Sequence, residues 1–269
     1  MRKSINLLLV IFSLFCASAF AQNAQKTAAY IEGENLTYEA KYNKAVLRGI
    51  AAADLNFAVE RAPNNQDFLI KSEARSKGTL VKLFLKFYQN IESTVDGKNF
   101  SVKRTVKRDE QGDRIRESEA IFDYKDRKVI YVETDPNDSA RPPHQVASPI
   151  QADAQDLITG IYTLRRLPLA VGKTFELSVS DSGLVYKIPV RVTAREQQKS
   201  IFGKVWCFRV EPQVFGANRL IDGKGSMILW ITDDARRLPV RSQINASIGR
   251  VEVRLKRVEN NSASLTSTD

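Results

Sequence analysis

The chain is poor in the side chains that carry most enzymatic chemistry. It holds one histidine and two cysteines in 269 residues. A zinc site needs several nitrogen or sulfur ligands, and these numbers do not supply them. A serine–histidine–aspartate arrangement would have to use His144, which stands among Pro142, Pro143 and Gln145 with no G-x-S-x-G elbow anywhere in the chain. His144 therefore reads as a surface loop residue. Cys16 falls in the N-terminal apolar segment, so Cys207 is the one cysteine in the body of the chain. One cysteine closes no internal disulfide, and the fold must stand on its core. Cys207, between Trp206 and Phe208, reads as a small buried hydrophobe. No calcium loop of the D-x-D-x-D-G kind occurs, and Asp135-Pro136-Asn137-Asp138 reads as a turn. Gly223-Lys224-Gly225-Ser226 lacks the rest of a nucleotide-binding loop and reads as a hairpin connection. No cofactor and no metal is expected.

Long apolar runs are scarce as well. One stands at the start, where Arg2 and Lys3 precede an apolar stretch from Ile5 to Phe15, and Ala19-Phe20-Ala21 follows. A run near 11 residues is too short for a membrane span, which takes roughly 20, and the pattern is that of a secretory signal peptide cleaved after Ala21. Phe15 occupies the position before Cys16 where a lipoprotein signal needs a small residue, so lipidation is disfavoured. The expected product is a periplasmic chain of 248 residues. Loss of Arg2 and Lys3 leaves 39 basic against 31 acidic residues, a charge near +8. A basic exported protein meets anionic lipid, phosphate or acidic polymers rather than nucleic acid. Because the two signs are interleaved, most of the excess also suits a solvated surface.

What fills the chain is period-two alternation. Leu36, Tyr38, Ala40 and Tyr42 alternate with Thr37, Glu39 and Lys41; Val251, Val253 and Leu255 alternate with Glu252, Arg254 and Lys256. Val240, Ile244, Ala246 and Ile248 share one parity, interrupted by Ser242. Such patterns are strands with one wet and one buried face. Similar stretches run near 50–60, 67–76, 91–95, 99–108, 114–124, 127–133, 175–181, 184–198 and 204–214. Turn residues punctuate them at Pro63-Asn64-Asn65, Asp96-Gly97, Gln111-Gly112-Asp113, Asp181-Ser182-Gly183 and Asp222-Gly223. The fold class implied is mainly β: a large curved antiparallel meander, half-barrel or open barrel, with one central helix at 150–166. In that helix Leu157, Ile161 and Leu164 share a face, with Ile158 and Tyr162 beside them. Asp153 and Asp156 near its start, and Arg165 and Arg166 near its end, suit the helix dipole. Ser148-Pro149 can open it and Pro168 stops it. Residues 79–88 fit strand or short helix. Segment 133–149 holds four of the nine prolines and reads as a long loop, a natural mouth or lid. The expected organisation is a leader at 22–32, one domain at 33–259 and a polar tail at 260–269.

Two clusters invite a functional reading. Lys103, Arg104, Lys107, Arg108, Arg114 and Arg116 fall on one hairpin, as a wet strand face or as a patch for anionic lipid or sugar. Asp233-Asp234 is the most conspicuous carboxylate pair, although Thr232 to Ala235 has the look of a turn between strands.

Leu229-Trp230-Ile231-Thr232-Asp233-Asp234-Ala235-Arg236-Arg237-Leu238-Pro239-Val240-Arg241 resembles the signature of a bacterial exported family of unknown function, numbered 3108 among such domains. Gly33 to Tyr38 resembles that family's opening strand, Gln155 to Arg165 its central helix, and Ile248-Gly249 the start of its last strand. The resemblance spans about 33–257 and brings no catalytic residues with it. The Leu-Trp-Ile-acidic hairpin is also distantly similar to periplasmic lipoprotein carriers, whose curved sheets hold acyl chains.

The expected function is a non-catalytic, monomeric binding module for a hydrophobic or amphiphilic envelope ligand such as an anionic lipid, with membrane-surface contact. Candidate ligand or cap residues are Asp156, Tyr162, Arg165, Trp206, Trp230, Asp233, Asp234 and Arg237. Aromatic residues would line the concavity (Tyr38, Tyr42, Phe57, Phe68, Phe84, Phe87, Phe208 and the two tryptophans). Arg165, Arg166, Arg236 and Arg237 would meet a phosphate or carboxylate head. The alternatives are a scaffold that binds envelope proteins through sheet edges and a hydrolase working through carboxylates such as Asp156 or Asp233.

Overall fold

A computed structural model describes residues 32–44, 47–78, 86–247 and 249–260. The expected signal peptide, most of the leader, residues 79–85 of the ambiguous segment, and all of the tail after Asn260 lie outside those residues.

Alternation does produce strands. In β1 (Glu34–Lys44), Leu36, Tyr38 and Ala40 are buried while Asn35, Thr37 and Glu39 are half-exposed. The chain continues through β2 (Leu47–Arg61), β3 (Asp67–Ser76), β4 (Phe87–Asp96), β5 (Val102–Gln111), β6 (Arg114–Asp123), β7 (Lys128–Thr134) and β8 (His144–Pro149). Each is antiparallel to the strand before it. After a two-residue strand β9 (Gln155–Asp156) and the helix α1 (Leu157–Arg166) come β10 (Thr174–Asp181), β11 (Leu184–Ser200), β12 (Gly203–Pro212), β13 (Gly225–Thr232), β14 (Pro239–Ala246) and β15 (Gly249–Asn260). β15 returns to pair with β1, and β9 runs parallel to β10.

The result is one 15-stranded sheet in the order β8-β7-β6-β5-β4-β3-β2-β1-β15-β14-β13-β12-β11-β10-β9. It is a curved meander in two arms that meet at β1, open between its edge strands. The register slips at Thr37/Tyr38 on one side of β1 and at Ala40/Lys41 and Tyr42/Lys44 on the other. Bulges increase local twist and bend a strand, so curvature concentrates in the middle strand. The two edges are brought near each other by the short connection from Pro149 to Gln155.

α1 packs against β3 and β4 of one arm and β10 of the other, which puts it inside the curve. Ile158 and Tyr162 join the core of the first arm with Ile70, Val95 and Phe122. Leu164 joins the core of the second with Val190, Val210 and Ile231. A third cluster, with Leu36, Tyr38, Leu238 and Leu255, lies where the arms meet.

Two boundaries differ from expectation. The helix begins at Leu157 rather than near 150, because Asp156 is the residue that caps it. Ser148-Pro149 closes β8 instead of opening the helix. Of the supposed loop 133–149, the last six residues form that edge strand, with Glu133 opposite His144 and Lys128 opposite Pro149. Proline is compatible with an edge strand, which needs ladder bonds on one side only. His144 is exposed, at the start of β8.

Candidate functional site

α1 is anchored at both ends by buried polar groups. At its N-terminus the backbone N–H groups of Ile158 and Thr159 donate to Asp156 Oδ1 at 2.9 and 2.8 Å. The Asp156 N–H donates to Thr159 Oγ1 at 2.9 Å, completing a reciprocal cap. Asp156 Oδ2 accepts from Thr105 Oγ1 of β5 at 2.6 Å, which fixes the helix start to the first arm. At the C-terminus Arg165 donates through both terminal nitrogens to Glu34 of β1, at 2.6 and 2.9 Å. It also donates to the Arg236 carbonyl at 3.2 Å. Arg165 and Glu34 are 2% and 4% exposed. Burial alone would lower the Arg165 pKa; the bond to Glu34 and its charge outweigh that and raise it.

Between this helix and the sheet lies a hollow of about 220 Å³. Leu36 and Tyr38 come from β1, Leu55 and Phe57 from β2, Ile161, Tyr162 and Arg165 from α1, Met227 and Leu229 from β13, Ser242 and Ile244 from β14. Its walls are hydrocarbon and aromatic, with the Tyr38 ring edge-on to Phe57 at 5.6 Å. Behind that wall, three polar atoms of the lining residues, the Tyr162 hydroxyl, Arg165 Nε and Ser242 Oγ, are buried and have no hydrogen-bond partner. Burial pushes the Tyr162 hydroxyl well above the ordinary tyrosine pKa, and Tyr38 likewise. Both stay neutral donors. Buried polar groups are nearly always satisfied in folded proteins, so three orphans around one apolar hollow mark it out.

The other expected site residues are dispersed. Asp156 faces a separate hollow of about 40 Å³, lined by Ile91, Phe122 and Leu157 as well as Thr105, Lys107 and Ser180. Trp230 is buried on the opposite face of β13 from Leu229; its Nε1 donates to Glu196, and Arg241 stacks on its ring at 4.5 Å. Trp206 is exposed, with Arg195 4.4 Å over its ring. Asp233 and Asp234 sit in the β13–β14 turn. Asp233 accepts from Arg195 Nε at 2.6 Å and pairs with Arg237 at 3.6 Å. Asp234 accepts from Thr232 Oγ1 at 2.8 Å and from the Arg236 guanidinium at 2.6 Å. Arg237 stacks on Phe208 at 5.1 Å and Arg166 on Phe100 at 4.9 Å.

Of the four arginines expected to meet a head group, only Arg165 lines the large hollow. Of the expected aromatic lining, Tyr38 and Phe57 reach it, Phe68 and Phe208 are packed in the cores, and Phe84 lies outside the described residues. Ser242, Met227 and Leu229 are lining residues that sequence reasoning did not assign. Ser242 alone carried a signal, as the polar break in an apolar parity.

On the basic hairpin most of the charge is neutralised. Lys103 pairs with Asp67 at 2.7 Å and Asp96 at 3.1 Å, Arg108 with Glu110 at 2.8 Å, and Arg116 with Asp135. Cys207 is fully buried, and burial, reinforced by the nearby Asp234 and Glu196 charges, pushes its thiol up to about 12. Among the described residues no group of three or more His, Cys, Asp or Glu could hold a metal ion.

Residues 37–256 match the family described as "Protein of unknown function (DUF3108)". The chain belongs to this family. In fold it is similar to a β-barrel-like protein of the domain of unknown function DUF1849 from Brucella abortus, with a TM-score of 0.56 at 9% identity. That alignment covers 86% of this chain and 100% of the other. A Bacteroides fragilis protein with a YmcC-like fold aligns at a TM-score of 0.34 and 9% identity, over 86% and 97% of the two chains. A hypothetical protein from Chlamydia trachomatis aligns at 0.33 and 9% identity, over 90% and 94%. A comparison with curated proteins finds no match. The DUF3108 match covers every lining residue of the hollow except Leu36.

Proposed function

We propose that this DUF3108 protein is an exported, non-catalytic binding module that takes the apolar part of an amphiphile into the hollow between α1 and the sheet. The observation that carries the reading is the hollow itself: apolar walls with three buried, unpartnered polar atoms. At about 220 Å³ it exceeds the roughly 150 Å³ of an apolar cavity that holds benzene. It falls below the roughly 300–1,000 Å³ of sites for drug-sized ligands. One short acyl or isoprenoid segment matches that size better than a whole lipid. A sealed void of this volume would cost on the order of 5 kcal/mol, at about 24 cal/mol per Å³. That is a large share of a domain stability of roughly 5–15 kcal/mol, which favours a hollow that is open or filled. The unused donors of Tyr162, Ser242 and Arg165 lie behind that apolar wall and would meet the polar end of a ligand once their side chains turn toward it.

Chemistry at this place is disfavoured by what surrounds Ser242. The residues lining the hollow include no Asp, Glu, His or Lys to act as a base. Export is supported by the positive and apolar N-terminus that ends at Ala19-Phe20-Ala21.

The test is extraction and mass spectrometry of protein purified from a bacterial envelope, with titration of a fluorescent fatty acid. The expected result is an amphiphile retained by the native protein, and probe binding lost in Leu229→Trp, which fills the hollow. A native protein that retains no amphiphile and binds no probe overturns the reading.

A further inference from the structure

β11 and β12 form a long hairpin, paired from Val190↔Pro212 to Ser200↔Gly203, and its end leaves the sheet. β10 pairs with β11 only as far as Arg191, and β13 pairs with β12 only from Cys207 to Val210. Beyond those points, residues 195–206 are a two-stranded ribbon. One face of the ribbon lies against the sheet, where Glu196 accepts from Trp230 and Gln198 Oε1 accepts from Arg241 Nη1 at 3.0 Å. The other face is open. Gln197 stands opposite Trp206 and Lys199 opposite Lys204, so these four side chains project to the same side. Ile201 and Phe202 make the turn.

This end of the molecule carries two costs in water. Ile201, Phe202 and Trp206 are 44%, 38% and 46% exposed, three of the large apolar side chains left out of the core, with Arg236 4.0 Å over the Phe202 ring and Arg195 4.4 Å over that of Trp206 as their partial cover. Lys199 and Lys204 are directly opposed like charges, which destabilises a strand pair. Among the described residues neither lysine has an ion pair. The carboxylates of β11 and of the β13–β14 turn are committed elsewhere, Asp233 to Arg195 and Arg237, Asp234 to Arg236, Glu196 to Trp230. The turn is also held in shape, since the Phe202 N–H donates to Ser200 Oγ at 3.0 Å and Ser200 Oγ donates to the Gly203 carbonyl at 3.2 Å.

We propose that the β11–β12 hairpin tip docks the protein on an anionic lipid bilayer, with Ile201, Phe202 and Trp206 in the interfacial layer and Lys199 and Lys204 on lipid phosphates. Both costs are removed in that setting. Aromatic and aliphatic side chains partition into the interface, and opposed lysines gain counter-charges. A tip of three apolar side chains is far smaller than the roughly 800 Å² per partner that a stable protein interface buries. A projecting point fits a fluid surface better than a second folded protein. This proposal rests on the ribbon and not on the hollow.

The experiment is co-sedimentation of the purified protein with phosphatidylcholine vesicles, with and without phosphatidylglycerol, while tryptophan emission is followed. The expected result is binding to the anionic vesicles alone, a blue shift that is absent in Trp206→Phe, and release as salt is raised. Lys199→Gln with Lys204→Gln should weaken binding roughly 30-fold, at about fivefold for each basic side chain. Ile201→Ser with Phe202→Ser should reduce binding while leaving the circular dichroism unchanged, because neither side chain belongs to a core cluster and Phe202 gives up only the Arg236 guanidinium 4.0 Å over its ring. Leu229→Trp should dock as the native protein does. Equal binding to neutral vesicles, undiminished binding by the tip variants, or loss of docking in Leu229→Trp overturns the proposal. Capture of an envelope protein through the tip, without vesicle binding, also overturns it.

Discussion

Glu34 and Arg165 lie 131 positions apart in the chain, and their charged atoms approach to 2.6 Å. Attraction across a dry interior does not by itself make such a pair stabilising, because both ions lose their hydration. Removing one partner is another matter, since the other is left buried and charged. Glu34→Gln should cost roughly 3–5 kcal/mol, read as a lowered urea midpoint. Replacing both, as Glu34→Leu with Arg165→Met, should recover most of that loss. A single variant that loses less than about 1 kcal/mol would show that the pair is solvated in solution. Arg165 was legible in the sequence as a basic residue in a helix's last turn. Its partner was not, because Glu34 precedes the first strand pattern as an ordinary polar residue.

At the scale of the element, α1 shows how far periodicity reaches. The Leu157–Ile161–Leu164 stripe predicts one buried face, yet Thr159, Gly160, Tyr162 and Arg165 are buried while Leu157 and Ile161 are half-exposed. Strands from both arms surround the helix, so its polar faces are enclosed as well. Thr159 and the terminal nitrogens of Arg165 are satisfied by the Asp156 cap and by Glu34, whereas the Tyr162 hydroxyl and Arg165 Nε have no partner. Gly160 sits in the helix interior, where a Cβ would meet Val179 Cγ2 at 3.5 Å, an ordinary contact. Gly160→Ala should therefore raise stability by about 0.5–1 kcal/mol. A loss in thermal or urea unfolding would mean that the helix sits closer to β10 than its backbone indicates. The β8 strand escaped sequence reasoning for a related reason: His144-Gln145-Val146-Ala147-Ser148-Pro149 has little apolar alternation. An edge strand whose side chains stand mostly in solvent needs little.

For the whole molecule, the seam between the sheet's two edges is the feature no local pattern announces. The β10–β11 turn places Gly183 at φ +78°, with its Cα against β7 and β8; a Cβ there would stand 2.7 Å from Val146 Cβ and 2.8 Å from Tyr131 Cβ. Gly183→Ala should cost about 2 kcal/mol from backbone strain alone. For a domain of this size that is a fall in Tm of roughly 4–8 °C. An unchanged Tm would indicate that in solution this turn leaves both the positive φ and its close approach to Val146 and Tyr131. Asp181-Ser182-Gly183 was readable as a turn. That this turn closes against strands some forty residues earlier was not.

The amino-acid order made most of the strands, their turns and the helix legible, because each depends on side chains a few positions apart, but it pointed to Ser148-Pro149 and not to Asp156 as the start of the helix. Tertiary structure decided which faces look inward. Bulges at Thr37/Tyr38, Val192/Ala194 and Trp230/Ile231 shift the pairing register, and a one-residue slip changes the partner every later side chain meets. For that reason Trp206 is in solvent, Trp230 is bonded to Glu196, and Ser242 lines a hollow whose walls come from β1, β2, α1, β13, β14 and β15.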